Sequence, residues 1–368
     1  MAKRPREIPL EKCTLGELPT HTLTVDKEYD VLLRLLDLLP LNYTSRDINE
    51  QRIPEELIVR IIMRAREIII DEPVTVQLNS PVCICGDIHG QYYDLINLFK
   101  RCPSISKKTS FPNPGSPSQD AEEPYKFLFL GDYVDRGFRS IEVVVTLLAI
   151  KIIDPAQIYT LRGNHEDENI MRLYGFFDEC KRRYSLRLFK VFTDLFRVLP
   201  VAAVVNQSIF CMHGGLSPEL RYVGEIPDLR PCNIPTSGII CDLLWADPET
   251  NMASGIDWSP SSRGVSYVFS QNVLEKFLKE NELDLICRAH QVVDEGYQFF
   301  PSNQRRWLLT VFSATNYCNE FGNKGGVLCV NEDGVCSILT LQPPNFGQER
   351  DIGLFREALP KPESSDGA

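Results

Sequence analysis

Phe127-Leu128-Phe129-Leu130-Gly131-Asp132-Tyr133-Val134-Asp135-Arg136-Gly137 decides how this chain is read. Four apolar residues stopped by a glycine describe a short buried strand, and the acidic residues that follow stand where that strand ends. The pattern recurs on both sides. Val82-Cys83-Ile84-Cys85 runs into Gly86-Asp87-Ile88-His89-Gly90, and Ile158-Tyr159-Thr160-Leu161 into Arg162-Gly163-Asn164-His165-Glu166. Ile209-Phe210-Cys211-Met212 runs into His213-Gly214-Gly215, and Leu285-Ile286-Cys287 into Arg288-Ala289-His290. Of the five histidines, four (His89, His165, His213 and His290) close these motifs. Ligands of open α/β sheets gather outside the carboxyl ends of strands. Five strands are therefore expected to deliver Asp, Asn and His to one rim.

The donor types indicate the chemistry. A single Asp or His at a strand end is as readily a turn cap as a ligand, but Asp87, His89, Asp132, Asn164, His213 and His290 recur at matching places. Their hard oxygen and borderline nitrogen donors suit manganese, iron or zinc. The set exceeds one ordinary metal and suffices for two, with one carboxylate bridging. A two-metal site activates water and clamps both sides of a displacement at phosphorus. Two divalent ions, less two carboxylates and a hydroxide, leave positive charge to which nearby arginines would add, so a phosphate dianion would be held firmly.

Composition bounds the rest. The chain has 368 residues, 43% hydrophobic and 24% charged, enough for one large domain or two small ones; because the motifs span Asp87 to His290, a division would split the site, and one domain is expected. A net charge of −11 without a basic stripe argues against nucleic acid as main partner. No stretch has the length of a membrane span, and Met1-Ala2-Lys3-Arg4-Pro5-Arg6-Glu7 lacks the apolar region of a signal peptide. We expect an intracellular protein, cytoplasmic or nuclear; Lys3-Arg4-Pro5-Arg6 fits a nuclear signal or an ordinary solvated cluster. The twelve cysteines lack CxxC spacing and several sit in apolar runs, as reduced thiols do.

Residues 1–25 read as an extension without periodicity. Helices are expected from Asp26 to Leu39 and from Pro54 through Ile69, both with core-facing stripes. A Pro/Ser/Gly-rich surface loop is expected over 102–123, a helix from Ile141 to Ile152 and a mostly helical stretch from Glu168 to Leu199. Strands are expected within Trp307 to Ser313 and Gly326 to Leu341, with the catalytic domain closing near 343 and a polar, flexible tail over 344–368.

In order, the motifs Gly86-Asp87-Ile88-His89-Gly90, Gly131-Asp132-Tyr133-Val134-Asp135-Arg136-Gly137 and Arg162-Gly163-Asn164-His165-Glu166 resemble those of the metallo-dependent phosphoprotein phosphatases. Gln91-Tyr92-Tyr93-Asp94-Leu95, Asp178-Glu179-Cys180-Lys181-Arg182-Arg183-Tyr184 and Arg288-Ala289-His290-Gln291-Val292-Val293 are similar to the type-1 serine/threonine phosphatase catalytic subunit in particular. The resemblance, over roughly Asp30 to Pro343, implies an α+β calcineurin-like metallophosphoesterase fold: a central β-sandwich of mixed sheets flanked by helices. It implies Asp87, His89 and Asp132 on one metal and Asp132, Asn164, His213 and His290 on the other. Manganese is the first expectation in vitro, with iron or zinc as alternatives. It implies hydrolysis of phosphoserine and phosphothreonine by a dimetal-bridging hydroxide, with His165 as general acid held by Asp135. Arg136, Arg263, Asn164 and Tyr317 would bind or border the phosphate. Leu285, Phe299 and Cys336 match a pocket for regulatory subunits, and read equally well as ordinary core.

The chain also departs from the type-1 pattern. Asp167 stands for a cysteine, Ser261-Ser262 for an Asn-Asp pair, Thr315 for a proline and Ile338 for an aromatic. No ligand or acid is lost, which weighs against a non-catalytic scaffold. A dinucleoside polyphosphate hydrolase shares the first motifs but not the match beyond His290. Cys318 reads as either reactive or inertly packed, His21 as an ordinary residue, and Arg162, Arg182 and Arg183 as surface or structural.

Overall fold

Residue alternation along the short strands separates the layers of the molecule. In the strand Val82–Cys85, Val82 and Ile84 face one core while Cys83 and Cys85 face another, as the period of two requires. The structure, a computed structural model, describes residues 9–20, 25–41, 52–102, 124–230, 233–301 and 305–343. In chain order the helices are α1 (Val25–Leu41), α2 (Glu55–Ile70), α3 (Tyr92–Arg101), α4 (Ser140–Ile153), α5 (Glu168–Tyr174), α6 (Phe176–Arg183), α7 (Leu186–Phe196), α8 (Ile239–Trp245) and α9 (Gln271–Glu280). The strands are β1 (Thr75–Leu78), β2 (Val82–Cys85), β3 (Lys126–Phe129), β4 (Ile158–Thr160), β5 (Ala202–Val205), β6 (Ile209–Met212), β7 (Asp247–Pro248), β8 (Trp258–Pro260), β9 (Tyr267–Phe269), β10 (Leu285–Arg288), β11 (Tyr297–Phe300), β12 (Leu308–Val311), β13 (Gly325–Val330) and β14 (Cys336–Leu341).

One sheet has six strands in the order β1-β5-β6-β10-β12-β11; the other has five, β14-β13-β2-β3-β4. Both mix parallel and antiparallel pairs. Their facing sides share one apolar core that includes Ile84, Leu128 and Val330 from the five-stranded sheet and Val205, Cys287 and Leu309 from the six-stranded one. The outer face of the five-stranded sheet packs on α1 to α4, α6 and α7. The outer face of the six-stranded sheet packs on α8 and α9. The result is the four-layered α+β sandwich expected from the resemblance. A small third sheet, β7-β9-β8, lies after α8.

The helix boundaries agree with the periodicity. The α2 stripe of Leu57, Ile58, Ile61, Ile62, Ala65 and Ile69 is buried, and the acidic Glu55 and Glu56 occupy its first turn, where the helix dipole favours negative charge. The segment 9–20, read as part of an extension, is docked: Cys13, Leu15 and Leu18 are buried in the same core as α1 and α2, because these apolar side chains gain more from burial than the turns cost. Arg162 and Arg183 are structural and each 1% exposed, with Arg183 held by Glu142 and Glu179, whereas Arg182 is on the surface. Residues 103–123 of the expected loop, the tail from 344, His21 and the basic cluster at residues 3–6 lie outside the described residues.

Candidate active site

The sandwich brings β2, β3 and β4 of one sheet together with β6 and β10 of the other at a common edge, and the polar motifs leave these strands there. The rim is thus shared between two sheets rather than drawn along a single one. Asp132 lies at its centre, with φ 55°. One carboxylate oxygen, Oδ2, is 3.4 Å from His89 Nε2, 3.3 Å from His213 Nε2 and 4.0 Å from His165 Nε2. The other, Oδ1, accepts the His165 N–H at 2.9 Å. Asp87 stands on the far side of His89, its Oδ2 3.6 Å from Nε2, and its Oδ1 accepts the His290 N–H at 3.1 Å. His290 Nδ1 lies 3.1 Å from His213 Nε2, which is 2.8 Å from Asn164 Oδ1.

Close backbone packing makes this convergence possible. A Cβ on Gly163 would sit 2.2 Å from Asp132 Oδ1, and one on Gly131 would sit 2.4 Å from the Gly163 nitrogen. Only glycine allows the β3 and β4 exits to approach so closely. His89, Asp132, Asp135, Arg136 and His290 all have positive φ without being glycine. Such strain persists where surrounding structure over-determines it, and it clusters at functional sites.

The imidazoles are held in orientations suited to ligation. His89 Nδ1–H donates to the Val134 carbonyl at 2.8 Å and His213 Nδ1–H to the Leu130 carbonyl at 3.1 Å, which turns both Nε2 atoms toward Asp132. Burial disfavours charge on His89, but Asp87 and Asp132 outweigh it and lift the imidazole to about 9. Burial likewise opposes the Asp132 carboxylate, yet His213, His165 and His89 hold it well below the usual range. His290 is pushed far down, by burial first and then by His213, Arg263 and Arg288, so its ring stays neutral. Its Nε2 is buried without a hydrogen-bond partner. The ring nitrogen on the cluster side is Nδ1, 3.1 Å from His213 Nε2, and a neutral ring can offer its lone pair there to a cation. His89, Asp132 and His165 form one candidate metal triad and Asp132, His213 and His290 another, with Asp132 common to both. The donors therefore fit two metal ions, with Asp132 in the bridging place.

Around this cluster lies an open cavity of about 390 Å³, bordered also by Arg136, Asn164, Tyr174, Trp245, Arg263 and Tyr317. His165 Nδ1 is 2.7 Å from Asp135 Oδ2, and the other Asp135 oxygen accepts the Phe176 N–H at 2.8 Å. Arg136 stacks on Tyr174, 4.1 Å from guanidinium to ring centroid, and Tyr317 packs 5.1 Å from the His89 ring. Arg263 Nε donates to Asp247 Oδ2 at 2.6 Å, and Arg288 donates to the opposite oxygen at 2.8 Å.

A model of calcineurin-like phosphoesterases matches residues 80–294. The chain belongs to that family. A solved protein serine/threonine phosphatase from Saccharomyces cerevisiae, with similarity to human phosphatase PP5, is 33% identical to this phosphoesterase at a TM-score of 0.70, covering 84% of this chain and 96% of that one. A cold-active protein-tyrosine phosphatase of a psychrophile, Shewanella sp., is 16% identical at a TM-score of 0.48, covering 74% of this chain and 84% of that one.

Every residue expected at the phosphoesterase site is brought to it or beside it. The reading by residue type missed the supports. Glu166 is 1% exposed and accepts the N–H groups of Asp132, Tyr133 and Gly163 at 2.8, 2.9 and 2.9 Å, tying the β3 and β4 exits together. Burial, then the Asp132 charge, pushes its carboxyl up to about 7. Its place directly after His165 was visible, but two of its three partners, Tyr133 and Asp132, lie 33 and 34 positions away in sequence. Trp245, the last residue of α8 and 5.6 Å from the His290 ring, and Asp247 just beyond it, which aims Arg263, had no motif to mark them. Cys318, left open as a reactive thiol, is pushed up by burial, which keeps it protonated and favours inert packing.

Proposed function

We propose that this phosphoesterase is a serine/threonine protein phosphatase acting on phosphoserine and phosphothreonine in proteins. The observation that carries the reading is the His165 and Asp135 pair set beside the Asp132 cluster and flanked by Arg136 and Arg263, in an open cavity rather than an enclosed one. The similarity to the yeast serine/threonine phosphatase over most of both chains supports the substrate class.

Two divalent ions held by Asp87, His89, Asp132, Asn164, His213 and His290 would supply Lewis-acid activation of water and neutralise phosphate charge. The chain's own groups do the rest. Arg136 and Arg263 bind phosphate oxygens, since guanidinium matches their geometry bidentately. Asp247 keeps Arg263 extended toward the site. His165 directs Nε2 into the cavity and protonates the departing serine or threonine oxygen, which is a poor leaving group as an alkoxide. Asp135 accepts the Nδ1–H, which leaves Nε2 as the position that takes up and gives away the second proton. Asn164 and Tyr317 border the phosphate.

Regulatory subunits would dock near Leu285 and Phe299, both only partly buried, and the exposed Cys336. The testing experiment is phosphate release from a phosphoserine protein after reconstitution with manganese. Release that collapses in His165→Ala and Asp132→Asn is expected; a folded, manganese-loaded chain that hydrolyses nucleotides but no phosphoprotein would overturn the reading.

A further inference from the structure

Three cysteines meet on the helix-covered face of the five-stranded sheet, away from the active-site cavity. Cys83 on β2 and Cys329 on β13 are directly opposed in the antiparallel register, and their sulfurs are 3.6 Å apart. Cys102, which caps the C-terminus of α3, adjoins both sulfurs. Cys83 and Cys102 are fully buried and Cys329 is 6% exposed. None of the described cysteines is in a disulfide. Opposed residues of an antiparallel pair have Cα atoms about 4.5 or 5.5 Å apart, and both values fall inside the window a disulfide accepts.

We propose that Cys83, Cys102 and Cys329 form an oxidisable thiol site in which a hydroperoxide converts Cys329 to a sulfenic acid that Cys83 resolves into a cross-strand disulfide. In the first step the Cys329 thiolate attacks a peroxide oxygen, the O–O bond breaks, and hydroxide leaves; taking up the thiol proton, it departs as water. In the second step the Cys83 sulfur attacks the Cys329 sulfur, the S–O bond breaks, and a second water carries away the oxygen and the Cys83 proton. Hydrogen peroxide accepts both electrons, so the balance is closed. Cys329 is the least buried of the three sulfurs and so the one a peroxide meets first, and hydrogen bonds from Cys102 and Cys83 lower its thiol. Burial raises Cys83, which keeps it protonated. Cys102 is placed to exchange into the disulfide once formed.

The three elements joined here also serve the catalytic rim. β2 continues into Asp87 and His89, α3 begins immediately after them, and β13 pairs with β2 along its length. Within the cavity bordered by Tyr317, by contrast, Cys318 has no comparable partner sulfur described beside it.

The test is treatment of the metal-loaded full chain with hydrogen peroxide under native conditions, followed by denaturing alkylation and peptide mapping. We expect one linked peptide joining Cys83 to Cys329, lost on dithiothreitol treatment, with both cysteines vanishing from the alkylated fraction. Cys102→Ser should retain that link. With Cys83→Ser and Cys102→Ser combined, so that neither adjoining thiol is left, the sulfenic acid at Cys329 should persist and be trapped by dimedone, which tests the nucleophile without requiring the disulfide. The proposal is overturned if Cys83 and Cys329 both stay alkylatable at peroxide levels that oxidise exposed Cys336, or if they pass separately to sulfinic acids with no linked peptide.

Discussion

Thr315 gives both its N–H and its hydroxyl to the Asp94 carboxylate, at 3.1 and 2.8 Å, across 221 positions of sequence. Gln91 closes the arrangement by donating to the Thr315 carbonyl at 2.7 Å and to Asp94 at 2.6 Å. The first turn of α3 is thereby fastened to the loop that carries Tyr317 over His89. The type-1 pattern has proline where Thr315 stands, and proline can donate neither bond. Thr315→Val should lower stability by about 1 to 3 kcal/mol, because a buried acceptor loses its partner. Thr315→Pro should cost more. Thermal unfolding of the two variants checks the order, and equal midpoints would refute the latch.

The same latch predicts a pH dependence. Burial lifts Asp94 to about 6 against the opposing hydrogen bonds from Thr315 and Gln91. The folded chain therefore holds this proton more tightly than the unfolded one. The contribution, about 3 kcal/mol, is fully present below the ordinary aspartate range and is lost as pH rises through 6. Asp94→Asn abolishes the titration, so its stability relative to the parent should improve between about pH 4 and about pH 7. Parallel denaturation curves across that range would remove the basis for this expectation.

The role of His165 is separable from that of the metal cluster by leaving group. His165→Ala should slow turnover of a phosphoserine peptide by roughly a hundredfold to ten-thousandfold. It should slow p-nitrophenyl phosphate far less, since that phenolate leaves without a proton. Asp135→Asn should follow the same pattern more weakly. Comparing kcat for the two substrates in each variant decides the matter; equal losses on both would assign His165 to binding instead.

Metal content should follow the shared place of Asp132. The parent is expected to bind two divalent ions per chain, Asp132→Asn to lose both, and His290→Ala to keep the ion nearer His89. Elemental analysis after dialysis reads this directly. Retention of both ions by Asp132→Asn would contradict a bridging carboxylate.

Glu166→Gln tests the support beneath the cluster. The amide presents one acceptor where the carboxylate takes three N–H groups, so at least one buried donor loses its partner, at a cost of about 1 to 3 kcal/mol. Urea unfolding should show the loss, and manganese affinity should fall with it as the Asp132 backbone loosens. An unchanged affinity in a destabilised variant would confine Glu166 to folding.

Much of this site was legible because its signals are local. Apolar runs of four residues mark β2, β3 and β6, and the glycine and acid that follow mark where the chain turns. The periodicity of α2 places its buried stripe, and the donor types at five strand ends already indicate two metals. The partners that hold those donors were not legible, since Glu166 and Asp94 carry no feature that distinguishes them from solvated acids until their neighbours are known.

The sequence by itself determined the motif-bearing strands, the helices before residue 200, the polar exits and the chemical character of the rim, because each depends on neighbours within a few positions along the chain. Only the tertiary structure decided that β2, β3 and β4 belong to one sheet and β6 and β10 to the other, that β13 returns to pair with β2, and that Cys83 meets Cys329 across 246 positions. Strand pairing joins backbone groups that every residue shares, so local composition does not choose the partner. That choice follows from burying two sheet faces against each other and against the helices at once, which is a property of the whole chain.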